Sequence, residues 1–390
     1  MKLSERMSRL GTETAFDVLV CARQLEKAGK SVIHLEIGEP DFDTPGNIVD
    51  AAVKALKSGA HHYGPSPGLP DLREAIAKDV SARRGVPVDP SEVVVTPGAK
   101  PIMFFSILAL CDPGDEVLYP NPGFPIYESM INYIGARGIG IPLLEEKDWA
   151  LDVDALARNL SPRTKLLILN YPHNPTGGTI PAADLHRIAE LALRYDFMIL
   201  ADEIYCRILY SGKHDSIYTM PGMKERVILL DGFSKTFAMT GWRLGYGVMR
   251  PDLAQQISKL QTNSNSCTAT FTQLAGIEAL KGDQGPEEKM VEEFRRRRDL
   301  IVQGLNEIPG FSCKIPAGAF YAFPNITRLG IPSKKLADAL LEEAGVAGLS
   351  GTAFGAWGEG YLRFSYANSQ ENIREALKRI KSFVTSSKIM

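Results

Sequence analysis

The sequence predicts an α/β fold. A large domain, residues 46–290, is expected around a mostly parallel sheet flanked by helices, and a small α+β domain is expected from both termini, residues 1–45 and 291–390. Three observations carry this. Short apolar runs alternate with amphipathic stretches through the middle of the chain, the pattern of strands crossing to helices. The alternation gives way at both ends to a sparser mixture of the two. The composition, 44% hydrophobic and 23% charged over 390 residues, excludes a disordered, collagen-like or coiled-coil chain and leaves room for two or three domains.

The elements follow in order. Residues 14–27 read as a helix and 33–37 as a strand. Apolar runs at 93–96, 116–119, 166–170, 197–201, 227–231 and 245–248 read as buried strands. Between them, Leu185, Ile188, Ala189, Ala192 and Leu193 repeat at helical spacing over 182–194. A long helical stretch, 251–306, is interrupted near 281–285 and contains the domain boundary. Beyond it come a strand at 320–323, a helix near 333–343, a strand at 362–365 and a final helix from about 370.

Charge and cysteine usage narrow the class. With 44 Lys and Arg against 46 Asp and Glu, the net charge is −2, which argues against nucleic-acid and membrane-surface partners. The arginine run 295–298 is flanked by Glu292, Glu293 and Asp299 and reads as a solvated helix turn. The five cysteines, Cys21, Cys111, Cys206, Cys267 and Cys313, are odd in number and scattered. That fits a reducing cytoplasm rather than a disulfide framework or structural zinc site. The N-terminus has charges throughout and no secretory core, and no apolar run nears the ~20 residues of a membrane span. No metal site is expected: H-E-x-x-H is absent, and His61 and His62 read as surface residues. The Gly-rich 241–247 lacks dinucleotide-binding spacing, so a nicotinamide site is weakly supported.

The informative segments lie at strand ends. SKTFAMTGWR at 234–243 puts Lys235 just past an apolar run, with Arg243 eight residues on. A lysine becomes a nucleophile at neutral pH only where its surroundings lower its pKa from about 10.4. NYPHNPTGG at 170–178 fixes a turn that places Asn174 at a strand end, and ADEIY at 201–205 places Asp202 at another. PGAK at 97–100 joins a strand to a helix starting near Pro101, whose first N–H groups suit an anion such as phosphate.

In this order, with GEPDFDTP at 38–45 and LRFS at 362–365, these segments make the chain resemble, over nearly its full length, a class I aminotransferase. That family is the aspartate-aminotransferase-like branch of the fold-type I pyridoxal-phosphate enzymes. The resemblance implies a seven-stranded sheet, pyridoxal 5′-phosphate as cofactor, and a homodimer with shared active sites. Lys235 would hold the cofactor covalently and then move the proton at the substrate's Cα. Asp202 would pair with the pyridine nitrogen, and Asn174 and Tyr205 would hydrogen-bond the ring's phenolic oxygen. Ser234, Arg243 and the backbone N–H groups of Ala99 and Lys100 would cup the phosphate. Phe124, in NPGFP, would stack on the ring, and Tyr63, in HYGP, would reach the neighbouring subunit's phosphate. Arg363, with Asn174 and the backbone of Gly38, would grip the substrate α-carboxylate.

The resemblance leaves the substrate open. In part of the branch a lysine at the position of Lys100 contacts a distal carboxylate, which implies aspartate and glutamate as donors and 2-oxoglutarate as acceptor. The branch often has Ser-Ala-Thr where this chain reads Glu13-Thr14-Ala15. A Glu13 facing the pocket would repel a second carboxylate, whereas in solvent it would be irrelevant. Phe16, Ile37 and Phe320 would add an apolar wall suited to neutral or aromatic substrates. A polar loop, Asn263 to Ser266, is expected near the dimer interface. The same cofactor also serves β-lyases, decarboxylases and oxidases. A non-catalytic, cofactor-binding regulator is the reading from another class, and the intact Lys235 and Asp202 weigh against it.

Overall fold

The computed structural model describes residues 2–386. Its centre is an eight-stranded sheet in the order Val93–Thr96, Gly245–Val248, Val227–Gly232, Met198–Asp202, Thr164–Asn170, Glu116–Asn121, Arg137–Leu144 and Ala150–Leu151. The last is a two-residue edge strand added to seven longer ones. Pairing is parallel from 227–232 across to 137–144, and antiparallel on both sides of 245–248 and at the 150–151 edge.

Direction positions the site. Strands 93–96, 116–121, 164–170, 198–202 and 227–232 all end at one edge of the sheet. Strand 245–248 runs the other way, so the residues just before it, including Arg243, arrive at that same edge. Open α/β sheets bind ligands there, because loops and helix N-termini converge beyond the carboxyl ends of the strands.

Both faces are covered, which explains the near-continuous apolar runs. Val93, Val95, Leu167, Leu169, Ile199, Ala201, Val227 and Leu229 pack on one side with Leu72, Ile76, Leu185, Ile188 and Ala275 from the helices. The alternate residues Val94, Val117, Leu166, Ile168, Leu200, Ile228 and Leu230 pack on the other with Ile102, Met103, Met130, Ile131 and Ile257. A third core joins Ile33 and Leu35 to Phe294, Ile301, Phe320, Leu336, Phe364, Ile373 and Ile380. Around it stand two small sheets: Ile33–His34 parallel to Val346–Ala347, and Tyr321–Ala322 with Leu362–Ser365 and Leu349–Ser350 antiparallel.

Differences from the expected elements have local causes. Strand Arg137–Leu144 reads RGIGIPLL and is only partly buried, so it offered no continuous apolar run. The first strand is two residues rather than five. The 251–306 stretch breaks twice, giving helices Pro251–Asn265, Thr270–Lys281 and Gly285–Asn306. The earlier break follows Ser266, whose φ of 62° no helix accommodates. Asn263, Ser264 and Asn265 are therefore the last turn of a helix, not a loop. The expected boundary at 290/291 lies within the unbroken helix Gly285–Asn306.

One buried ion pair ties the sheet to its cover. Glu203, directly after strand 198–202, is fully buried and paired with Arg84 at the end of helix Pro70–Arg84. Ser216 donates to Glu203 at 2.5 Å, and His214 stands beside it. Burial opposes ionisation, but Arg84 and His214 outweigh it and hold the carboxyl down at about 2. Removing Arg84 strands that charge. Arg84→Met is expected to cost about 3–5 kcal/mol, seen as a lowered urea-unfolding midpoint; an unchanged midpoint would contradict it.

Candidate active site

A cavity of about 590 Å³ opens at the carboxyl edge of the sheet, and eleven of the twelve expected site residues line it: Gly38, Ala99, Lys100, Phe124, Asn174, Asp202, Tyr205, Ser234, Lys235, Arg243 and Arg363. The twelfth, Tyr63, lies outside it on the surface, 90% exposed.

Asp202 is the last residue of its strand and is paired in register with Asn170 and Leu230. It is buried on the cavity floor. Tyr127, from helix Pro125–Ile134, donates its hydroxyl to Asp202 Oδ2 at 2.5 Å, and the Ile204 N–H reaches Oδ1 at 3.3 Å. Burial pushes the carboxyl up to about 6, and those two hydrogen bonds pull the other way. Asn170 accepts the Asn174 N–H at 2.9 Å and donates to the Asp202 carbonyl at 3.0 Å, so two adjacent strand ends hold the Asn174 turn.

Lys235 reaches the cavity from beyond strand 227–232, and its Nζ donates to the Gly38 carbonyl at 2.6 Å. Burial pushes its amine down to about 8; Arg243 and Arg363 add to that effect against Glu39 and Glu13. The neutral amine is therefore reached closer to neutral pH than in a solvated lysine, the direction nucleophilic or proton-transfer chemistry requires.

The anion cradle is legible in what cannot be built there. A Cβ on Gly98 would stand 2.1 Å from an Arg243 guanidinium nitrogen, and one on Gly245 would stand 2.3 Å from the Ala99 amide nitrogen. Only glycine admits this approach. Arg243 itself has a left-handed backbone (φ 51°), a strained state of the kind retained at functional sites. Helix Lys100–Leu110 begins here; Pro101 has no N–H and the Ile102 N–H is taken by the Ala99 carbonyl, which leaves the N–H groups of Ala99 and Lys100 for an anion. Arginine, Ser234 and a helix N-terminus around one concavity fit a phosphate.

Arg363 is 3% exposed. It donates to Asn174 Oδ1 at 3.2 Å and to the Glu36 carbonyl, and its plane stands over the Tyr321 and Phe354 rings at 4.6 and 4.9 Å. Among the described residues it has no carboxylate partner, and its buried Nε makes no hydrogen bond. A buried guanidinium with a donor to spare suits an incoming carboxylate.

Four further features were not singled out in the sequence. Tyr127 orients Asp202. Tyr321 hydrogen-bonds Tyr205, hydroxyl to hydroxyl, at 2.6 Å, and fills the space a Cβ on Gly38 would need, 2.2 Å from its oxygen. Asn170 and Glu36 brace Asn174 and Arg363. Lone tyrosines and backbone carbonyls leave no motif, and only the strand-end position of Asn170 hinted at a role. Phe320 does not line the cavity; it is fully buried, stacked on Phe294, and its neighbour Tyr321 takes the wall. Glu13 does face the cavity, where it is ion-paired with Lys100.

Comparison with known proteins agrees with this architecture. The family described as aminotransferase class I and II matches residues 30–380. An aspartate aminotransferase of Pyrococcus abyssi is 41% identical over 364 residues, covering 92% of this chain and 93% of that one. Aromatic-amino-acid aminotransferase 2 of Thermococcus litoralis is 37% identical over 394 residues, covering 100% of both. The solved structure of Thermus thermophilus aspartate aminotransferase with maleate superposes with a TM-score of 0.93 at 36% identity, covering 98% of this chain and 99% of that one. The chain belongs to the class I and II aminotransferases and is an enzyme that transfers amino groups.

The raised pKa of Asp202 has a thermodynamic signature. The folded state holds a proton that the unfolded chain releases between about pH 4 and 6, so stability falls as pH rises through that window. At neutral pH the charge costs about 3 kcal/mol. After dialysis to remove any bound ligand, Asp202→Asn is therefore expected to melt above wild type at pH 7, with the gap closing toward pH 4. Equal melting at both ends would refute it.

Proposed function

We propose that this enzyme is a pyridoxal 5′-phosphate-dependent aminotransferase that passes the amino group of an L-amino acid to a 2-oxo acid by a ping-pong mechanism. We further propose that it is of the aspartate/glutamate type, with 2-oxoglutarate as acceptor. The observation that carries this is the convergence of Lys235, Asp202, Arg243 and Arg363 on one cavity. The aspartate aminotransferase relatives support the type.

The residues present fit the cofactor. Arg243, Ser234 and the N–H groups of Ala99 and Lys100 would hold its phosphate, Asp202 its ring nitrogen, Asn174 and Tyr205 its phenolic oxygen, and Phe124 one ring face. When bound, it supplies an electron sink for the bond broken at the substrate's Cα. Asp202 would present its carboxylate to the ring nitrogen and favour that nitrogen's protonated form, and Tyr127 fixes the carboxylate's aim. Arg363 binds the substrate α-carboxylate with two parallel N–H donors, and that grip decides which Cα bond is presented for cleavage. The Lys235 amine would take up and release the proton at the substrate's Cα.

Tyr63, exposed and outside its own cavity, is proposed to complete a neighbouring subunit's phosphate site in a homodimer. The division into a cofactor-binding domain, 46–290, and a small domain, 1–45 with 291–390, is proposed on the separate cores. A cytoplasmic setting is proposed on the scattered cysteines. A second substrate reading, neutral or aromatic amino acids, is favoured by Phe16 and Ile37 on the cavity wall and by the relative from Thermococcus litoralis.

Protein loaded with pyridoxal phosphate is expected to absorb visible light, to change spectrum with an amino acid alone, and to recover with a 2-oxo acid. Lys235→Ala should abolish the response; a wild-type protein indifferent to every amino acid would overturn the reading. Tyr63→Phe should weaken cofactor retention roughly two- to tenfold without moving the unfolding midpoint. Retention equal to wild type would remove Tyr63 from the site.

A further inference from the structure

Four cations line the cavity: Lys100, Lys235, Arg243 and Arg363. In the function proposed above, on which this inference rests, three are committed, Lys235 to the cofactor, Arg243 to its phosphate and Arg363 to the substrate α-carboxylate. Lys100 alone is left for a charge at the far end of a substrate side chain. It projects from the first turn of helix Lys100–Leu110 with its ammonium 5.3 Å from the centre of the Phe124 ring, at the wall of the same space.

That cation is already taken. Glu13 pairs with it, and the Glu13 side chain is only 19% exposed while Lys100 is 47% exposed, so the carboxylate is the more enclosed partner. The chain holds Glu13 in place from both sides. The Gly11 N–H donates to Ser129 Oγ at 2.9 Å, that hydroxyl donates back to the Gly11 carbonyl at 3.0 Å, and Arg9 Nε donates to the Asn132 carbonyl at 2.9 Å. Residues 9–11 are thus fastened to helix Pro125–Ile134. Immediately after Glu13, helix Thr14–Lys27 packs Val18 and Ala22 against Leu341 and Ala347. Glu13 lies in the short bridge between these anchors, beside Thr14, Ala15 and Phe16 on the cavity lining.

We propose that Glu13 is a built-in competitor for Lys100. It occupies the cation that the distal carboxylate of a dicarboxylic substrate needs, so such substrates bind only by displacing it, whereas substrates with apolar or aromatic side chains leave the pair closed and bind beside it. The pair then tempers the aspartate/glutamate preference proposed above: it weakens dicarboxylates by charge competition and leaves monocarboxylic amino acids untouched, so both classes can share the one site.

The test compares holoenzyme with Glu13→Gln, which keeps the side chain's size and removes its charge. The dissociation constant of maleate, an unreactive dicarboxylate, is measured by calorimetry, and the single-turnover rates with aspartate and phenylalanine are followed by the cofactor spectrum. Maleate is expected to bind about tenfold more tightly to the variant, and the aspartate-to-phenylalanine rate ratio to rise by a similar factor. Any effect of the lost charge on Lys235 is common to both substrates and cancels in that ratio, and an unchanged unfolding midpoint reports an intact fold. Glu13→Ala should reproduce the pattern. Maleate affinity unchanged in both variants overturns the inference while leaving the proposed function standing. A wild-type holoenzyme that responds to no amino acid overturns the proposed function itself, and this inference with it.

Discussion

Asp202 is buried at the C-terminal end of a central strand, and keeping a carboxylate there deprives it of hydration that the fold must replace. The surroundings are arranged around that demand. Tyr127 and the Ile204 N–H donate to its two oxygens. The next residue, Glu203, carries a second buried charge that Arg84 neutralises from helix Pro70–Arg84. The strand end is thus pinned from below by an ion pair and from above by a tyrosine, so the carboxylate faces the cavity in one orientation. A functional carboxyl on a loop would lack that fixity.

The sheet's directionality extends the same logic to the other groups. Parallel strands deliver Asn170, Asp202 and, just beyond a third, Lys235 to one edge. The reversed strand Gly245–Val248 makes the antiparallel pairs that bring Arg243 close to the Gly98–Ala99 turn. Glycines at 98 and 245 are the condition for that closeness. Their missing side chains let a guanidinium and a helix N-terminus share one small concavity.

The second group of contacts comes from the third core. Arg363 and Tyr321 lie on its short antiparallel strands, and Tyr321 reaches Tyr205 across the cavity. The bridge of residues 9–13 runs from helix 125–134 toward Leu341 and Ala347. This wall of the cavity therefore depends on parts of the chain held together by packing rather than by sequence proximity. The cavity's cations outnumber its carboxylates, Glu13, Glu39 and Asp202, by one, which suits a site that takes anionic groups.

The longer central strands were legible because a strand covered on both faces must be apolar throughout, as at 93–96 and 227–232; the two-residue strands 150–151, 346–347 and 349–350 are as buried but too short to show a run. Where burial is partial, as in Arg137–Leu144, the pattern dissolves into glycine and proline and nothing local marks a strand. Residues tied to a strand end by a short motif, Lys235, Asp202, Asn174 and Ala99, could be named from the sequence because those local motifs carry the family resemblance. Tyr127, Tyr321 and Glu36 were not, since each acts on a group 75 to 327 positions away through contacts that only packing creates. Glu13 divides the two cases. Its charge and its departure from the family pattern were visible in the chain. Whether that charge met solvent or Lys100, 87 positions on, was decided by how the two ends of its segment are anchored, a property of the folded molecule alone.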